Sequence, residues 1–158
     1  MRDAVLTLDR AVARREEWKR SGLRVVFTNG CFVLLHRGHL DLLTGARDLG
    51  DVLLVGINGD ASVRRLKGEG RPLVPAEDRA ALVAGLKPVD AVVVFDEDTP
   101  GTLLEVLRPE VLVKGGDYGP GEVVGREIVE AYGGRIHVLP FREGCSTTGL
   151  LARLRGEG

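Results

Sequence analysis

Arg24-Val-Val-Phe-Thr28, then a helical spacing of Leu40, Leu43, Ala46 and Leu49 that stops at Gly50, then Asp51-Val-Leu-Leu-Val-Gly-Ile57: this stretch decides the fold. Two short β-branched runs too apolar for a solvated sheet face read as buried strands, and the segment between them has a helix's period. Working outward, the alternation continues. Strands are expected at 90–95, 110–114 and 135–139, with helices at 76–86, 100–107, 122–132 and from 146 to 155. Upstream, Ala4, Leu8, Ala11, Val12 and Trp18 predict an amphipathic helix over residues 3–21, closed by Gly22. Thr99 is the expected N-cap of the helix at 100–107.

Five apolar strands separated by helices predict a five-stranded parallel sheet, doubly wound and Rossmann-like, with helices on both faces. The expected organisation is one domain over residues 1–158, an N-terminal helix (1–22) followed by an α/β core (23–158). Ligands of such sheets bind beyond the carboxyl ends of the strands, where strand order reverses. The loops after residues 28, 57, 95, 114 and 139 are therefore where chemistry is expected.

Composition narrows the partners. The 158 residues are 44% hydrophobic and 28% charged, with 22 Lys and Arg against 23 Asp and Glu, a formal net charge of −1. That balance supplies no global field for a nucleic-acid backbone, so no nucleic-acid partner is expected. Apolar runs fall well short of the ~20 residues a membrane helix needs, so no membrane partner is expected either. Cys31 and Cys145 form no disulfide framework, and nothing resembles a secretory signal, which points to a reducing cytoplasm.

The first strand runs into Asn29-Gly-Cys-Phe32 and Val33-Leu-Leu-His-Arg-Gly-His39, where two of the three histidines flank a glycine as a helix begins. Gly30 and Gly38 let backbone N–H groups approach an anion, and the helix N-terminus adds partial positive charge. His36 and His39 can donate to phosphate oxygens, or they can simply cap or pack the helix start. Neither cysteine has the spacing of a redox motif, and no Ser or Cys stands as an activated nucleophile.

These residues carry a resemblance. The run Asn29 to His39 resembles the HxGH signature of the cytidylyltransferase-like nucleotidyltransferases. In order, Arg64-Arg-Leu-Lys-Gly-Glu-Gly-Arg-Pro72, Glu77-Asp-Arg79, Phe95-Asp-Glu-Asp-Thr-Pro100, Leu112-Val-Lys-Gly-Gly-Asp-Tyr118 and Glu143-Gly-Cys-Ser-Thr-Thr148 are similar to the adenylyltransferase (ADP-heptose synthase) domain. The resemblance implies ATP and a small phosphorylated sugar, D-glycero-β-D-manno-heptose 1-phosphate, as substrates. The sugar phosphate attacks the α-phosphorus, pyrophosphate leaves, and no covalent enzyme intermediate forms. Mg²⁺ arrives with ATP, no protein metal ligands are assigned, and a homodimer is compatible with the family. A sugar kinase, often fused to this domain, is expected to come from another protein.

The roles implied are specific. His36, His39 and Lys67, the last in a mobile-looking basic loop at 64–72, act on the reacting phosphates. Asn29, Gly30, Cys31, Phe32, Gly38, Arg79, Lys114, Gly115, Asp117, Ser146, Thr147 and Thr148 meet the nucleotide. Asp60 either caps the next helix or joins Arg71 and Val33 at the acceptor. Ser146 is equally readable as an ordinary N-cap, and Arg142 is left unassigned. Val33 stands where the family has an aspartate: either activity is weakened or the acceptor altered, with Val33→Asp then raising turnover, or the local backbone and histidines suffice and the valine merely packs. Two other readings stay open: a cytidylyltransferase or adenylyltransferase for a different phosphorylated acceptor, and a nucleotide-binding module that has lost catalysis.

Overall fold

A computed structural model of the chain describes residues 4–116, 122–140 and 147–156. Among these residues, six parallel strands form one sheet: β1 (Val5–Leu6), β2 (Val25–Gly30), β3 (Val52–Asn58), β4 (Ala91–Phe95), β5 (Val111–Gly115) and β6 (Arg135–Leu139). Their spatial order is β1-β4-β3-β2-β5-β6. Helices α1 (Leu8–Arg20), α2 (Arg37–Arg47), α3 (Asp60–Lys67), α4 (Ala76–Ala84), α5 (Gly101–Leu107), α6 (Arg126–Ala131) and α7 (Thr147–Leu154) connect or follow them. None is long and apolar enough to cross a membrane.

The buried strands look uniformly apolar in sequence, yet the pleat sorts them onto two faces. Val25, Phe27, Leu54, Ala91, Val93 and Leu112 pack with Ala11, Leu103, Leu104, Leu107 and Val129 of α1, α5 and α6. Val26, Leu53, Val55, Ile57, Val92 and Val113 pack with Leu43, Ala46, Ala80 and Val83 of α2 and α4. Helices therefore cover both faces, as expected. Gly56 lies under two rings: a Cβ there would come within 2.8 Å of Phe27 Cζ and 3.2 Å of Phe95 Cε1, so the β3 backbone needs glycine to fit beneath them.

The sheet has one strand more than expected. Val5 and Leu6 lie opposite Val92 and Val93 of β4, and α1 begins only at Leu8. Thr7 is the divider, its Oγ1 accepting from the Arg10 N–H at 3.3 Å. Two residues carry no readable period, and it is the open edge of β4 that makes them a strand. The helix still ends at Gly22, whose φ of +73° is the left-handed backbone a closing glycine supplies. Thr99 sits one residue before the N-cap Pro100, its hydroxyl 3.5 Å from the Gly101 N–H.

The stretch expected as a basic loop from residue 64 is helical through Lys67. With only Val63 fully buried among its apolar residues, α3 shows too thin an apolar stripe for its period to be read. The reversal in strand order falls between β2 and β5, on either side of which the chain winds outward. Thr28 Oγ1 donates to the Val113 carbonyl at 2.7 Å across this seam. The carboxyl ends of β2 and β5 thus present Asn29 and Lys114 side by side.

Candidate active site

A cleft of about 450 Å³ opens at that seam, lined from β2 and its loop by Asn29, Gly30, Cys31, Phe32 and His39. Lys114 and Gly115 of β5 form one wall, and Asn58, Leu66 and Lys67 another. This is where a doubly wound sheet holds its ligand. Lys114 Nζ donates to Asn29 Oδ1 at 3.1 Å, bridging the two strand ends. Burial lowers the Lys114 pKa, opposed by the nearby Cys31. An ammonium in this position gains by meeting an anion.

The helix start between the histidines is organised by the imidazoles. His36 is the N-cap of α2, and its Nδ1 accepts from the Gly38 N–H at 3.1 Å. His39 Nδ1 accepts in turn from the His36 N–H at 3.2 Å. The two rings stack with centroids 3.9 Å apart. Phe32, in left-handed backbone at φ +48° and almost fully buried, packs its ring against His39 at 5.1 Å.

This geometry assigns the tautomer. A nitrogen that accepts a hydrogen bond carries no proton, so in each neutral ring the proton sits on Nε2. The capping reading and the phosphate-donor reading thus divide between the two nitrogens of one ring. Burial, and then the His36 charge, lower the His39 pKa to about 4, and burial lowers that of His36. Both rings are neutral donors at pH 7.

Below pH 6.5 the unfolded chain binds a proton at His39 that the folded chain refuses until about pH 4. Stability is therefore lost as pH falls across that window. The melting temperature is expected to drop between pH 7 and pH 5, and to drop less in His39→Asn, which cannot titrate. Thermal melts of the two chains at both pH values check this, and parallel curves would refute it.

Several sequence expectations are relocated. The Gly38 N–H is taken by His36 Nδ1, so it is not open to an anion. His36 lines a shallow neighbouring recess with Leu35, Leu40 and Leu86 rather than the cleft itself, which His39 reaches. Lys67 does line the cleft, but from the end of α3 rather than from a loop. Arg71 lies close enough for its charge to act on Cys31, but it is not part of the cleft wall.

Arg79 departs furthest from expectation. It is 1% exposed, and its guanidinium donates to the carbonyls of Val74, Cys31 and Asn58 and to Asp60 Oδ1. With four of five donors held by the protein, it fastens the loops after β2 and β3 instead of gripping phosphate. Asp60 does cap the helix expected at 76–86: its carboxylate accepts from the Ala76 N–H at 2.9 Å, at the start of α4. Val33 is 3% exposed and does not line the cleft, so its expected place at the acceptor is corrected to packing.

Burial raises the Cys31 pKa, against the lowering charges of Lys67, Arg79, Lys114 and Arg71. The thiol stays protonated and is no nucleophile. Thr148 is exposed on α7, which opens at Thr147. Asp117 and Ser146 lie outside the described residues, as do Arg142 and Cys145. Asn58, Leu66, Asp98 and Thr99 are cleft residues that sequence reasoning did not assign to the site. The signal was present only at loop level, in the positions after the strands ending near 57 and 95.

A family model described as cytidylyltransferase-like matches residues 27–151. The chain is 54% identical over 151 residues to the bifunctional protein HldE of Geotalea uraniireducens, covering 96% of this chain and 31% of that protein. It is 59% identical over 136 residues to bifunctional protein HldE of Geobacter sulfurreducens, covering 86% and 28% respectively. The chain thus spans about a third of the length of these curated relatives. Among solved structures, the lipopolysaccharide core biosynthesis protein from Thermoplasma volcanium GSS1 is similar at a TM-score of 0.61 and 27% identity, covering 77% of this chain and 98% of that one. The pantoate-beta-alanine ligase from Francisella tularensis, at a TM-score of 0.64 and 12% identity over 96% of this chain and 76% of that one, shares the fold.

Proposed function

This chain belongs to the cytidylyltransferase-like family of nucleotidyltransferases, and from that premise we propose that it transfers AMP from ATP to a sugar 1-phosphate. The acceptor in this reading is D-glycero-β-D-manno-heptose 1-phosphate, and the products are ADP-heptose and pyrophosphate. The observation that carries the reading is the stacked histidine pair, in which both Nδ1 atoms are engaged and neutral Nε2–H donors remain beside a cationic cleft. The ordered motifs from Arg64 to Thr148 support the sugar acceptor, as does the likeness to a lipopolysaccharide core biosynthesis protein.

The reaction asks little covalent chemistry of the protein. The sugar phosphate is already anionic, so an oxygen of it attacks the α-phosphorus while the bond to the β-phosphate breaks and pyrophosphate departs. Charge grows on the α-phosphoryl oxygens and the leaving bridge. His39 donates from the cleft wall, with His36 stacked behind it at the rim. Lys67 and Lys114 neutralise the phosphates from opposite walls. Neutral donors need give up no proton to the leaving pyrophosphate, so the rings act by preorganised hydrogen bonding.

Mg²⁺ belongs to this reading as part of the substrate, carried on the triphosphate. Among the described residues no three His, Cys, Asp or Glu side chains converge to hold a resident ion.

The test is pyrophosphate release from ATP and Mg²⁺ with and without heptose 1-phosphate, repeated with CTP. Release that requires both ATP and the heptose phosphate is expected. Release with CTP in place of ATP would move the assignment to a cytidylyltransferase. Saturable ATP binding without release, whatever the acceptor, would leave only a nucleotide-binding module.

A further inference from the structure

At the opposite, amino-terminal edge of the sheet lies a second cavity of about 550 Å³, within the size range of small-ligand sites. Lys19 of α1, Arg24 just before β2, Arg108 after α5 and Arg135 at the start of β6 converge on it. Among the described residues none of these four side chains has a carboxylate or carbonyl partner. The cavity's one acidic residue, Glu110, is already occupied: its carboxylate accepts from Arg15 at 2.5 and 3.3 Å and from the Val25 N–H at 3.3 Å. In a chain of net charge −1, four positive charges gathered from four segments repel one another unless something anionic lies between them.

The floor of the cavity is built. Arg15, 7% exposed, also donates to the carbonyls of Leu107 at 2.8 Å and Arg108 at 2.9 Å, so it holds the turn that carries Arg108. Arg108 itself sits in left-handed backbone, φ +46° and ψ +59°, at a helix end where glycine is the cheap residue. Its guanidinium lies 4.8 Å from the centre of the Tyr132 ring. The Tyr132 hydroxyl donates to the Pro109 carbonyl at 2.6 Å. A long cationic side chain is thus kept in a strained position and steered by an aromatic face, an arrangement that persists where the side chain has a task.

We propose that this cavity is a second anion site, separate from the nucleotide cleft, for a compact ligand carrying two or more phosphate groups. Three of its four open cations are arginines, whose planar forks match phosphate oxygens in pairs. The combined charge matches a di- or triphosphate better than a single carboxylate. Its distance along the fold from the cleft, at the other end of the strands, lets both be filled at once.

Calorimetric titration of inorganic pyrophosphate into the full chain is expected to show two sites. Arg135→Glu and Arg108→Gly each weaken one of them by about tenfold or more and leave the other. Lys114→Met does the reverse. Arg108→Gly also controls for folding, because glycine takes the left-handed backbone freely and the melting temperature is expected to hold or rise. A single site, weakened by Lys114→Met and untouched by Arg135→Glu, overturns the proposal. So does the absence of any saturable heat sensitive to Arg108 or Arg135. Pyrophosphate release from ATP is a separate measurement, so failure here leaves the assignment of the cleft standing.

Discussion

Replacing His39 by asparagine is expected to lower kcat by about 10²–10³, with little change in melting temperature. The substitution separates the two nitrogens of the ring. An asparagine oxygen lies about where Nδ1 does, so the hydrogen bond from the His36 N–H at 3.2 Å has an acceptor and the helix start survives. What disappears is the Nε2–H on the cleft wall. Glutamine makes the complementary variant: its amide reaches toward the Nε2 position but abandons the cap. His39→Gln is therefore expected to recover part of the rate at some cost in stability. His36→Asn is expected to cost less than His39→Asn, because His36 stands at the rim. Single-turnover kinetics with ATP and the sugar phosphate, beside thermal melts, read both effects. A His39→Asn enzyme with near-normal kcat would remove the imidazoles from the mechanism.

The second large effect is on stability, at Arg79. Arg79→Met is expected to destabilise the fold by about 3–5 kcal/mol, the range for removing one partner of a buried charged pair. Three carbonyls and the Asp60 carboxylate lose their donors together, and those carbonyls come from the loop after β2 (Cys31), the end of β3 (Asn58) and the segment before α4 (Val74). Asp60 is 38% exposed and can be rehydrated, which places the effect toward the lower end. For a domain of this size the midpoint should fall by on the order of 10 °C. Arg79→Lys should rescue little, since one ammonium cannot span four acceptors in a plane. A shift below about 3 °C would show that the loops hold without the guanidinium. Because the Cys31 carbonyl follows directly on the strand bearing Asn29 and Gly30, the variant should also raise KM for ATP by loosening the cleft wall.

Both predictions rest on side chains whose chemistry was visible in the sequence and whose partners were not. The His36–Gly38–His39 spacing at a strand-to-helix junction pointed to a candidate phosphate-handling site or to a helix cap. It could not say that Nδ1 of each ring would be committed to the backbone. Arg79 was legible as a cation near the site, and a free guanidinium grips phosphate. Only packing α4 against β3 turns it inward, where desolvation forces it to satisfy itself on carbonyls. Val33 is the same lesson with the sign reversed: its sequence position suggested the substrate, and its burial takes it away from the cleft.

What the sequence alone determined was everything that repeats or terminates locally. Apolar runs of strand length, helices with an apolar stripe, and the glycines at residues 22 and 50 specify a doubly wound parallel sheet and the end of it that holds the ligand. Hydrophobic period and capping act over one or two turns, so a window of the chain contains them whole. The tertiary structure decided what depends on separated segments meeting. Val5 and Leu6 become a strand because β4 has an open edge. α3 is tied through Arg65 to Asp98 and through Asp60 to the start of α4, contacts that its own thin apolar stripe does not announce. Lys19, Arg24, Arg108 and Arg135 become one basic cavity although 116 positions separate the first from the last. Charges act through space and burial sets their strength, and neither separation nor burial is written in any single stretch of the chain.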